Sequence, residues 1–115
     1  MPVVYVANNQ DLNKAFADAG RKLVVIGFFS SSRKPSKDIS EHFHQLSEQY
    51  KDSALFAKVD VDVEKQVSNA YNITSTPTFH YHKFSNSLGH ITGSSPRLLS
   101  ATTAHHIRTS DPWVL

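Results

Sequence analysis

The chain has 115 residues, 12 Lys and Arg against 10 Asp and Glu, and no cysteine. That length suits one domain with one core, and the net charge of +2 does not mark a dedicated polyanion binder. Zero cysteine excludes disulfide scaffolds, Cys-ligated zinc or iron–sulfur sites, and any thiol nucleophile within these residues. Seven histidines make the charge more responsive to mild acid than the formal count implies. At 39% hydrophobic and 10% aromatic residues, the chain is slightly polar but able to fold into a small globule.

In chain order, Val3 to Val6 reads as a short strand. Asn8-Asn9-Gln10 leads into a helix over Asp11–Ala19, apolar at Leu12, Phe16 and Ala19 and stopped at Gly20. Leu23 to Phe29 is a continuous β-branched and aromatic run, the pattern of a strand buried on both faces. It is the longest apolar run and far short of the roughly 20 residues that span a membrane. A serine-rich turn, Ser30-Ser31-Ser32-Arg33-Lys34, follows. Pro35 then suits a first helical turn, and Ile39, Phe43, Leu46 and Tyr50 recur at helical spacing.

A third strand is expected over Leu55–Val61 and a short helix over Glu64–Tyr71. Pro77 opens a fourth strand that runs to Lys83. Phe84 to Ser87 is read as a turn and Leu88 to Thr92 as a fifth strand, paired with the fourth as an antiparallel hairpin. The last helix spans Pro96–Ile107, capped by Ser94 or Ser95 and weakened by Thr102 and Thr103. The order is β-α-β-α-β-α-β-β-α. Intervening helices imply parallel crossovers, leaving only the hairpin antiparallel. Residues 1–109 form the expected domain and 110–115 a tail, whose Trp113, Val114 and Leu115 either dock on the domain or serve as a ligand for a partner. MPVVYVANNQ carries no basic region and no long apolar stretch, so the cytoplasm is the expected compartment. Asn72-Ile73-Thr74 is a formal glycosylation sequon, read as coincidental.

Several separated segments, in order and spacing, resemble the thioredoxin family. KLVVIGFF (Lys22–Phe29) is similar to the strand entering the family's active site. Pro35, Ser36 and Lys37 resemble the end of its WCGPCK motif. FHQLSEQY (Phe43–Tyr50) and KVDVDV (Lys58–Val63) resemble the next helix and strand. TPTF (Thr76–Phe79) resembles the loop with the family's cis-proline, and Ile91-Thr92-Gly93 the end of its hairpin. The resemblance covers about Val4 to Ile107 and implies an α/β, thioredoxin-like fold: one mixed, mostly parallel five-stranded sheet flanked by four helices. The departures fall where the chemistry would be. Ser32 stands at the motif's tryptophan, Arg33 and Ser36 at its two cysteines, Lys34 at its glycine, and Gly27 at the family's buried aspartate.

Thiol–disulfide exchange needs an attacking thiolate and a resolving thiol. A guanidinium at Arg33 and a hydroxyl at Ser36 supply neither. Substitutions at 27, 32 and 34 as well fit a natural redox-inactive relative better than an engineered trap. No catalytic residue and no cofactor are expected. The first functional expectation is a peptide- or protein-binding module, with Ser32, Arg33, Lys34, Pro35, Ser36, Thr76 and Pro77 beside the groove. The alternative is an anion site at the helix N-terminus, where Arg33, Lys34 and Lys37 meet an acidic or phosphorylated partner, or glutathione. A glutathione-using enzyme with a Ser32 or Ser36 hydroxyl lacks room for the second substrate-binding domain such enzymes carry. Ser36, after Arg33-Lys34-Pro35, also has the form of a kinase site. Three cations without stacking aromatics do not argue for nucleic acid, and nothing argues for a membrane.

The histidines pair at His80/His82, sharing a strand face, and at His42/His44 and His105/His106, which diverge. No third ligand is evident beside the first pair, so no metal is expected. Asp60 and Asp62 read as strand-end acids and not as a catalytic pair.

Overall fold

The computed structural model describes residues 3–33 and 37–110. The elements are β1 (Val3–Tyr5), α1 (Asn9–Ala19), β2 (Leu23–Phe29), α2 (Lys37–Gln49), β3 (Ala54–Asp60), α3 (Lys65–Ala70), β4 (Thr78–Lys83), β5 (Asn86–Thr92) and α4 (Pro96–Ser110). They form the expected α/β architecture, a five-stranded mixed sheet in the order β1-β3-β2-β4-β5 with four helices. Alternate residues of β2 enter opposite layers, which is why its sequence is apolar throughout. Leu23, Val25 and Phe29 pack with Ile39, Phe43 and Leu46 of α2 and Leu99 of α4. Val24, Ile26 and Phe28 pack with Leu12 and Phe16 of α1 and Val67 of α3.

One pairing differs from expectation. β1 and β2 run parallel to β3, but β4 runs antiparallel to β2, with Phe28 opposite Thr78 and Val24 opposite His82. The ladders therefore divide two and two. A parallel return must carry the chain back along a seven-residue strand, about 23 Å. The six residues of α3 advance only about 9 Å. The chain accordingly re-enters the sheet at the end where it left.

Two helix starts have identifiable caps. The Asn8 side chain accepts from the Asp11 N–H at 2.8 Å, and the Asp11 carboxylate accepts from the Ala7 N–H at 2.9 Å. This places the α1 start at Asn9, two residues before the expected one. Ser95 caps α4 by accepting from the Leu98 N–H at 3.2 Å. Poor propensity in α4 is offset by burial of Leu99 and by a buried hydrogen bond of 2.8 Å between Thr103 Oγ1 and the Tyr81 hydroxyl.

The β4–β5 hairpin is tighter than expected. Lys83 pairs with Asn86, leaving a two-residue loop of Phe84 and Ser85 with φ of 53° and 64°. Such loops favour Asn-Gly, because both residues sit in the left-handed region. Replacing the pair by Phe84→Asn and Ser85→Gly is expected to raise stability by about 1 kcal/mol, seen as a thermal midpoint higher by roughly 4 °C. A lower midpoint would contradict the strain.

Candidate functional site

The site begins where β2 ends. Ser30 is buried, and its Oγ donates to Asp62 Oδ2 at 2.5 Å while accepting from the Arg33 N–H at 3.1 Å. The Ser32 N–H donates to the same Asp62 oxygen at 2.8 Å. Asp60 Oδ1 accepts from the Asp62 N–H at 3.0 Å and the Ser31 N–H at 3.4 Å. These bonds fold the serine turn back onto the end of β3. Donation by the Ser30 hydroxyl, then by the Ser32 N–H and hydroxyl, holds the Asp62 carboxyl well below the usual carboxylate range. Asp62 is thus a standing negative charge at the root of the turn. The sequence reading gave it no role at the site. The signal was a run of hydroxyls and N–H donors facing an Asp-x-Asp, visible only once β2 and β3 are paired.

The opposite bank is Ile73–Thr76. The Thr76–Pro77 peptide bond is cis. Pro77 is buried and its carbonyl accepts from the Gly93 N–H at 2.9 Å, while Thr78 Oγ1 donates to the Ser75 carbonyl at 2.6 Å. Between the banks lies an open pocket of about 170 Å³, lined by Ser30, Arg33, Val61 and Asp62 on one side and Ile73 to Thr76 on the other. Arg33 and Thr76, both expected at the site, therefore face one space. Ser32 is exposed on the turn, and Pro77, next to Thr76, is buried. Lys34, Pro35 and Ser36 fall outside the described residues, as do Asp111 to Leu115 of the tail.

Below the turn, Gly27 is closed in by aromatics. A Cβ there would lie 2.6 Å from Phe29 Cε2 and 3.1 Å from two atoms of the Phe43 ring. Lys58, opposite Gly27 across the β2–β3 ladder, places Nζ 4.7 Å over the Phe29 ring and donates to Ser40 Oγ at 3.1 Å. Burial lowers the Lys58 pKa, with Asp60 opposing the shift.

The His80/His82 pairing expected from the sequence is present, and it gains a third ring. His80 and His82 do share a face of β4, and β5 brings in His90, whose ring stacks on His80 at 5.0 Å. His82 stacks on His80 at 6.1 Å. No group of three His, Cys, Asp or Glu among the described residues is arranged to hold a metal ion. His42 instead hydrogen-bonds Ser100, linking α2 to α4. No helix among the described residues is long and apolar enough to cross a membrane.

A five-stranded mixed sheet with a turn at the end of its central strand, facing a cis-proline loop, defines the thioredoxin class of fold. The thioredoxin family model matches residues 3–104. Thioredoxin of Sus scrofa is 33% identical over 100 residues, covering 87% of this chain and 94% of that protein. Thioredoxin domain-containing protein 8 of Mus musculus is 38% identical over 79 residues, 69% of this chain, and the match spans 61% of that protein's length. The solved thioredoxin of Fasciola hepatica superposes with a TM-score of 0.84 at 27% identity, covering 90% of this chain and 98% of that one. The chain belongs to the thioredoxin family, and it does so without a cysteine anywhere in its 115 residues.

Proposed function

We propose that this chain is a redox-inactive thioredoxin-fold module that binds an extended peptide or protein segment across the groove between Ser30–Arg33 and Ile73–Thr76. The observation that carries this reading is the pairing of a preserved groove with an absent thiol. Both banks are hydrogen-bonded into place, yet no side chain in the chain can form a mixed disulfide. The pocket's 170 Å³ is below the 300 Å³ or so that encloses a small-molecule ligand, whereas a strand crossing an open groove needs no enclosure. Arg33 and Asp62 give the groove both signs of charge. The Asp62 carboxylate favours a peptide with its own donors over a simple anion, so the anion reading is secondary.

In an insulin-reduction assay with dithiothreitol, the chain is expected to leave the rate at the blank value. A rate above it would overturn the redox-inactive part. For the binding part, peptides selected from a random phage library should shift the backbone amides of 30–33 and 73–76. Peptides that bind only elsewhere would overturn it.

A further inference from the structure

The opposite end of the sheet carries a second concave surface. It is bounded by the end of α1 and by the β4–β5 loop, has a volume of about 520 Å³, and is lined by Phe16, Ala17, Gly20, Arg21, Phe84 and Ser85 among others. Val24 of β2 pairs near this end and Phe28 at the groove end, so the length of β2, about 23 Å, separates the two.

We propose that this surface docks an acidic protein segment that inserts one aromatic or aliphatic side chain between Phe16 and Phe84. Three observations bear on the occupant. Phe84 is 61% exposed at a position where glycine or asparagine would relieve the backbone, so its ring is not there for the fold. Phe16 is a fixed wall, held edge-on against His82 at 5.4 Å. The rim carries positive charge: Arg21 lines the surface, and Lys83 Nζ lies 5.9 Å over the Phe84 ring. The acid of the nearby α1 turn, Asp18, is bridged to Lys14 at 3.2 Å. An apolar floor with a basic rim is complementary to an apolar anchor flanked by carboxylates.

The test is an amide chemical-shift titration of the whole chain with a synthetic peptide of about ten residues, a single tryptophan flanked by glutamates, and with a second peptide in which lysines replace the glutamates. The glutamate peptide should give saturable shifts at Ala17, Gly20, Arg21, Phe84 and Ser85. Arg21→Glu should weaken it about tenfold, and the combined Phe84→Asn and Ser85→Gly change should do the same although it relieves the loop. Equal binding of the lysine peptide, shifts confined to 30–33 and 73–76, no saturation by about 5 mM, or wild-type affinity in both variants would each overturn the proposal.

Discussion

Gly27→Asp is expected to destabilise the chain by about 3 kcal/mol, read as a lower denaturant midpoint at unchanged slope. The Cβ alone would meet Phe29 Cε2 at 2.6 Å. Phe29 has no open space to retreat into, because Phe43 and Phe79 hold it edge-on at 5.5 and 5.6 Å. A carboxylate would then sit among these rings. Lys58 is the cation opposite, with its amine hydrogen-bonded to Ser40 and lying over the Phe29 face. Gly27→Ala carries the steric part without the charge and should cost about 1–2 kcal/mol. Equal stability of Gly27→Asp and the wild type would contradict this packing. The space beside Gly27 is therefore filled by aromatic side chains, which leave no room for an acid there.

Acid should weaken the fold through the opposite layer. Burial, then His90 and His82, lower the His80 pKa from its ordinary 6.5 to about 4. Burial lowers that of His82 as well, and both of its ring nitrogens lack a hydrogen-bond partner among the described residues. Phe28 and Tyr71 pack edge-on against His80, and Phe16 and Tyr71 against His82. The folded chain thus keeps these rings neutral, while the unfolded chain takes up the protons. The stabilisation is present above pH 6.5 and is lost as the pH falls towards about 4, where folded His80 is protonated too. His80 is partly exposed, so solvent screening reduces its share to about 1–2 kcal/mol. Unfolding at about pH 7 and about pH 4.5 measures the loss, and His80→Phe should shrink it by that amount. An undiminished loss in His80→Phe would move the acid sensitivity elsewhere.

Much of the fold was legible because its signals are local. The unbroken apolar run of β2 and the four- and three-residue spacing in α2 each require one arrangement, and TPTF marks the loop that faces the serine turn. Other features depend on partners distant in sequence. The direction of β4 depends on the reach of α3, which composition does not show. The hairpin was read as four residues because Phe-Ser lacks the Asn-Gly signature of its loop. His90 joins His80 only through the β4–β5 register, with its shift between Tyr81 and His82. Arg33 and Thr76, named from the sequence, line the pocket, whereas Asp62 is not legible there, since it holds the Ser32 N–H and the Ser30 hydroxyl, 30 and 32 residues away.

The central claim is that the groove binds while the thiols are gone. It is tested most directly by calorimetric affinity of a groove-selected peptide for the wild type and for Thr76→Arg, with and without reductant. The account predicts binding indifferent to reductant and weakened about tenfold by the arginine. Unchanged affinity in Thr76→Arg, or binding that depends on redox state, would contradict it.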